Sequence, residues 1–483
     1  MDPDRAHHGR SHLARGTALT FAAEALIFPT GLVTAAFLTR WLGPSDYGLF
    51  TLAATIVTWV EWTVASLFSR ATIRFASEAE DWRPVGTTVV RLHLLAGAAA
   101  GLALAACARP IAALLGEPFL ARHLAFFALD VPLFCLCQAH MSLLMGVGDF
   151  GARAIASASR WLGRLLLMLL FVGLGYSVEG AIAASIGASL CELALARRGI
   201  QPRVWARSAF SARRLWGYAL PLFLFALAIR IFDKLDLIAL KSLGGSAAQA
   251  GHYGAAQNLS LIPLLFSSIL AQTLLRALMR VLLEEGAAAA DRLARDGLRV
   301  VFWLIAPAAM IAGCSEEIVS FIFGAAFGPT APVLALLIFA GVALGTIHIG
   351  MTIVAVVARP ALSVAIAAPL VPLALIGHLL VIPEAGPRGA AAVTLTFAVA
   401  GAASLLALVW WARGIRPPVA TLARSAVAGA IAYALSAAWP TPGLLLVVKL
   451  AAVSGVIAAV LWGLGELDAA ELEALRARLR RRR

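Results

Sequence analysis

The sequence predicts an all-α, polytopic membrane protein with about fourteen transmembrane helices, two six-helix lobes plus two C-terminal helices. Three observations lead there. Of 483 residues, 61% are hydrophobic and 13% charged, whereas soluble domains are about one-quarter charged. The apolar runs are long and continuous, which suits helices that satisfy their own backbone in lipid and not the alternating strands of a barrel. Lys and Arg also alternate between the two sides of the helix map, as the positive-inside rule requires.

Taken in order, the first seven apolar spans are 17–39, 48–69, 89–108, 124–144, 154–174, 178–195 and 215–240. The second seven are 253–275, 298–314, 333–358, 361–382, 390–411, 421–439 and 443–464. Arg5, Arg10 and Arg15 precede the first span. They resemble the charged region of a signal peptide, but the span is too long and lacks a convincing cleavage site, so it reads as a retained helix.

With the N-terminus placed in the cytoplasm, roughly thirty Lys and Arg fall on the cytoplasmic side and about five outside. The outside residues are Arg40, Arg109, Arg122, Lys241 and Arg388. Both termini are therefore expected in the cytoplasm, and the net charge of +13 is topology, not nucleic-acid affinity. Trp41, Trp216, Trp410, Trp411 and Trp439 sit near span ends, where amphipathic rings favour the headgroup region.

The stretch 283–299, which mixes acids, arginines and alanines, reads as a linking helix inside a hairpin. The tail 466–483 ends in four arginines and reads either as an amphipathic helix drawn to anionic membrane lipids or as a solvated tail. Five cysteines show no metal spacing and read as packing residues. No outside loop exceeds about twenty residues on this map. With no phosphate loop, metal triad or nucleophile elbow either, a transporter fits better than an enzyme, and no cofactor is expected.

Landmarks recur. Leu42-Gly43 precedes Tyr47-Gly48, and Leu243-Gly244 precedes Tyr253-Gly254; Leu115-Gly116 with Phe119 is mirrored by Phe323-Gly324 with Phe327. An offset of roughly 200 residues suggests two parallel lobes. The expected divisions are 1–200 and 201–412 for the lobes, 413–465 for two additional helices, and 466–483 for the basic tail.

Arg40-Trp41-Leu42-Gly43-Pro44-Ser45-Asp46-Tyr47-Gly48-Leu49, after a first helix with a basic flank, resembles the opening of polysaccharide-biosynthesis (oligosaccharide) flippases. These belong to the multidrug/oligosaccharidyl-lipid/polysaccharide exporter superfamily. Leu235-Asp236-Leu237 ahead of Leu243-Gly244 and Tyr253-Gly254 resembles the family's second-half opening, with a looser spacing. The resemblance implies two lobes around a central cavity that opens alternately to each side. It implies as cargo an undecaprenyl-pyrophosphate-linked oligosaccharide for cell-surface polysaccharide such as O-antigen or exopolysaccharide. It further implies a bacterial cytoplasmic (inner) membrane location and cooperation with polymerases and glycosyltransferases of the pathway. A lipid II flippase, a cation-coupled multidrug antiporter and a membrane glycosyltransferase or polymerase are the alternatives.

A charged group at mid-bilayer costs about 2.5–3.5 kcal/mol on insertion scales, so each asks for a partner or a purpose. Arg230, Asp233 and Lys234 share a helical face. Arg230 and Lys234 could meet a pyrophosphate while Asp233 holds them or carries a coupling proton; a self-neutralising pair is the plainer reading. Glu24 and Glu61 are carboxylates at lipid depth, open to protonation, pairing, or H+ or Na+ coupling. Arg160 and Arg164 share one face close to the cytoplasmic side, and could attract an anionic headgroup or simply anchor topology. Asp130, His140 and Arg276 are weaker candidates, and His348 and His378 read as packing residues.

Overall fold

The computed structural model describes residues 23, 25–206, 208–213, 215–216, 235–357 and 360–466. Every regular element among them is helical, and the chain divides into two compact units, Met1–Gly251 and His252–Arg483. The first unit holds α1 (Ile27–Glu78), α2 (Arg83–Leu114), α3 (Leu120–Phe127), α4 (Asp130–Val147), α5 (Phe150–Gly173), α6 (Ser177–Gly199) and α7 (Leu235–Ser242). The division falls within α8 (Ala247–Glu284). The second unit continues with α9 (Ala287–Phe302), α10 (Ile305–Gly313), α11 (Ser315–Phe323), a 3-10 turn (Ala325–Thr330), α12 (Ala331–Val357), α13 (Pro360–Arg413), α14 (Val419–Ala438) and α15 (Leu445–Gly463).

Among the described residues, 11 helical stretches are long and apolar enough to cross a membrane. That is fewer than the fourteen expected, for identifiable reasons. The expected spans 17–39 and 48–69 meet in α1, which breaks at Gly43 (φ 70°, ψ 177°) and resumes at Pro44. Only glycine adopts that backbone cheaply, and proline suits the first turn of the resumed helix. Likewise, 361–382 and 390–411 meet in α13, which breaks at Gly386. Most of the expected span 215–240 lies outside the described residues.

The stretch expected to be a linking helix, 283–299, covers the end of α8 and most of α9. After a turn at Gly286, α9 runs on with α10 as the candidate span Ala287–Gly313. Its buried Ala290, Ala294, Leu298 and Val301 pack with Leu274, Leu278, Ile349 and Ile353. The alanines lie at helical spacing on one face, and a composition average over the charged face hides that stripe.

Small residues set the closest approaches, as is usual where lipid removes the hydrophobic drive between helices. A Cβ on Gly48 would overlap the Ala247 carbonyl oxygen, so the resumed half of α1 and the start of α8 meet backbone to backbone. Asp46 in the same motif accepts a hydrogen bond from Ser177 Oγ at 2.8 Å, which ties it to the start of α6. The family-like motif is thus a helix break plus a packing surface. Arg91 donates to the carbonyls of Val204 and Ala206 and pins the chain after α6 against α2. The expected interfacial tryptophans Trp41, Trp410, Trp411 and Trp439 are exposed, as headgroup-level rings should be.

Candidate functional site: a buried charge cluster in the first unit

Four helices of the first unit bring charged side chains together: Glu61 from α1, Asp130 from α4, Arg160 and Arg164 from α5, and Glu192 from α6. At ~1.5 Å per residue, Arg160 stands about 15 Å and Arg164 about 21 Å along the ~36 Å of α5. They occupy its middle, whereas the sequence alone placed them close to the cytoplasmic side. Glu192 stands ~22 Å into α6. The carboxylic residues are almost wholly enclosed, with exposures of 3% for Glu61, 1% for Asp130 and 2% for Glu192.

Arg160 is the hub. It donates to Glu192 Oε2 at 3.0 Å and to Ser189 Oγ at 3.1 Å, and its guanidinium carbon lies 4.7 Å from the centre of the Phe134 ring. A planar guanidinium serves a carboxylate and an aromatic face together in a way that a lysine cannot. Trp62 meets Phe134 edge-on at 5.2 Å. Arg160 and Arg164 also interact electrostatically with both Glu61 and Asp130.

The cluster is not fully satisfied. Glu61 Oε1, Asp130 Oδ1 and Arg164 Nε are buried without a hydrogen-bond partner. Such groups are costly, since each forfeits its solvation with nothing in return. Three carboxyls stand among two guanidiniums, and Glu61 lies within interacting range of Asp130. That composition can gain or lose a proton, or accept a polar group, with a large change in local field.

Of the residues singled out in the sequence, Glu61, Arg160 and Arg164 meet here, joined by Asp130. Glu192 and Ser189 went unremarked. Glu192 lies four residues after Ala188 in a stripe of small residues, and its only sequence signal was a carboxylate in an apolar span. Glu24, Arg230, Asp233 and Lys234 lie outside the described residues. His140 is buried and its Nδ1 contacts the Leu136 carbonyl at 2.8 Å, a packing arrangement. His378 is buried too, whereas His348 is exposed and contacts Ser268 Oγ at 3.1 Å. No group of three or more potential metal-holding side chains occurs among the described residues.

Comparisons with known proteins define the class. A structure of the lipid II flippase MurJ in an inward closed conformation superposes with a TM-score of 0.72 at 15% identity, covering 92% of this chain and 98% of that one. A mutant of the Vibrio cholerae MATE transporter VcmN gives a TM-score of 0.59 at 14% identity over 84% and 96%. A MOP superfamily transporter from Pyrococcus furiosus gives 0.54 at 13% identity over 83% and 95%. No curated protein matches the sequence. The chain therefore has the fold of the MOP transporters, a multi-pass membrane architecture. A family model described as polysaccharide biosynthesis protein matches residues 37–332, more than half of the 483-residue chain. The chain belongs to that family, and it is a polysaccharide-biosynthesis transporter.

Proposed function

We propose that this transporter flips an undecaprenyl-pyrophosphate-linked oligosaccharide across a bacterial cytoplasmic membrane by alternating access, for assembly of cell-surface polysaccharide. The observation that carries the reading is the Arg160–Arg164 pair at mid-depth in α5 of a polysaccharide-biosynthesis protein. A pyrophosphate entering the membrane needs fixed cations away from the interface, and guanidiniums match its oxygens in fork geometry. Arg164, whose Nε lacks a partner, is the residue we assign to the anionic group. Arg160 is held by Glu192 and positions it. Arg230 and Lys234 are further candidates for the same contact. Glu61 with Asp130 carries the coupling cation, H+ or Na+, and Glu24 and Asp233 are secondary candidates.

The same reading has fourteen helices in two six-helix lobes with both termini cytoplasmic. The lobes are 1–200 and 201–412, the extra helices 413–465 line a path for the prenyl chain, and the tail 466–483 meets membrane lipids. Polymerase and glycosyltransferases of the pathway are the expected protein partners. One observation favours lipid II as a second cargo: the extent of the overlap with the MurJ fold.

The test is deletion of the gene followed by mass spectrometry of prenyl-linked glycans. The proposal expects one saccharide intermediate to accumulate and exported polymer to be lost, with rescue by wild type and not by Arg164→Gln. Loss of viability with accumulated lipid II would select the second reading. Unchanged glycans with increased sensitivity to cationic drugs would overturn both.

A further inference from the structure

In the second unit, α8 and α12 run side by side in parallel. A Cβ on Gly341 would overlap the Ser260 carbonyl oxygen, and one on Gly345 would overlap Ser267 Oγ. This close packing fixes the register that brings Ser268 Oγ to His348 Nδ1 at 3.1 Å. One turn further along each helix stand Gln272 and Thr352, and another turn along α8 stands Arg276. Gln272, Arg276 and His348 are exposed; Ser268 and Thr352 are half-buried.

Both helices are membrane spans by length and hydropathy. An exposed amide and imidazole on such helices do not face acyl chains, because hydrogen-bonding groups left in hydrocarbon are expensive. They face water or a polar ligand. The strip is also chemically distinct from the first unit's cluster. Short of Arg276, its amide, two hydroxyls and imidazole both donate and accept, whereas the first unit's cluster is built of guanidiniums and carboxyls. Alternating donors and acceptors on a rigid wall match the hydroxyls of a neutral sugar, and the apolar Leu265 and Met279 that bound the strip on α8 suit the faces of pyranose rings.

We propose that Ser268, Gln272, His348 and Thr352 form a saccharide-binding wall, which reads the sugar of the lipid-linked cargo. This rests on the reading above that the cargo is a lipid-linked saccharide. Gln272 is the specificity-determining side chain, since its amide projects from the wall, while Ser268 positions His348.

Binding to purified protein in nanodiscs tests it, with two probes: polyprenyl pyrophosphate bearing a neutral disaccharide, and sugar-free polyprenyl pyrophosphate. Wild type should bind the glycosylated probe at least tenfold more tightly. Gln272→Leu, which removes no interhelical bond, should bring the two affinities within about threefold of each other by weakening only the glycosylated probe. His348→Leu should do the same. Variants that keep the wild-type preference would overturn the wall while leaving the cargo reading intact. Wild type that binds both probes equally would also overturn the wall, whereas wild type that binds neither would overturn the cargo reading with it.

Discussion

Among the described residues, the first unit carries a cluster of interacting charges in the middle of membrane-length helices, whereas the second unit's ion pairs lie towards helix ends. In the first, Arg160–Glu192 joins α5 to α6 beside Glu61, Asp130 and Arg164. In the second, Lys449 near the start of α15 pairs with Glu317 at the start of α11 at 2.6 Å. Arg413, the last residue of α13, pairs with Asp291 in the first turn and a half of α9. Beyond α15, Glu466 accepts from Thr421, Arg424, Arg299 and Trp303. The Lys449 and Glu466 side chains are fully enclosed as well, but each is met by an opposite charge or by several hydrogen-bond donors, which offsets the desolvation penalty. A mid-span cluster with unpartnered atoms bears that penalty in full. The difference teaches that the unpartnered atoms of Glu61, Asp130 and Arg164, and not burial alone, call for a functional explanation.

The sharpest break is Arg160→Ala. It leaves Glu192, with a side chain 3% exposed, as an uncompensated buried carboxylate, at a cost of about 3–5 kcal/mol. Polysaccharide export should be lost and the detergent-purified protein should unfold many degrees earlier. Arg164→Gln should instead lose export with little change in melting, because Arg164 anchors no hydrogen bond through its buried Nε. If both variants melt like wild type, the first unit's cluster is no more integral than a surface pair.

Lys449→Ala should also destabilise by about 3 kcal/mol, since it strands Glu317. Because this pair is structural, the double variant Lys449→Met with Glu317→Gln should recover most of the melting temperature and retain export. Failure of the double variant to export would move this pair into the functional class and erase the contrast.

Glu466 offers a pH test. Burial alone would raise its carboxyl, but hydrogen bonds from Thr421, Arg424, Trp303 and Arg299 hold it down to about 2 from an ordinary 4.5. A folded value below the unfolded one contributes stability that is complete above the unfolded value and fades as pH falls through the folded one. The contribution is about 2 kcal/mol after screening at the partly exposed arginines. Glu466→Gln should therefore lower the melting temperature by about 2–4 °C at pH 7 and converge with wild type as pH falls from 4.5 towards 2. At the bottom of the scale, Glu78→Gln removes the exposed Arg74 partner and should change stability by about 0.5 kcal/mol or less.

Much of the membrane-facing organisation was legible in the sequence. The hydropathy map separates the spans 17–39 and 48–69, and the helix breaks between them at Gly43. The tryptophans expected at headgroup level are exposed at helix ends. Where sequence reasoning fell short, its unit of inspection was one helix. For Arg160 and Arg164 a single helix leaves headgroup attraction and a topological anchor equally open, because the carboxylates that face them stand on other helices. Glu192 was passed over because a lone acid in an apolar span looks the same whether or not an arginine faces it. His348 was expected to be a packing residue, and the close approach at Gly341 and Gly345 instead leaves it on an exposed face.

Hydropathy, charge alternation and the Arg40–Leu49 motif by themselves determined that this chain is helical, crosses a membrane many times and resembles polysaccharide-biosynthesis flippases. These properties follow from transfer free energies and backbone preferences that each segment carries on its own. Only the tertiary structure decided that Glu61, Asp130, Arg160, Arg164 and Glu192 share one enclosed space, and that Ser268 and His348 meet on one wall. Which faces touch depends on helix rotation and register, and these are set by glycine-sized contacts between segments far apart in the sequence as much as by local composition.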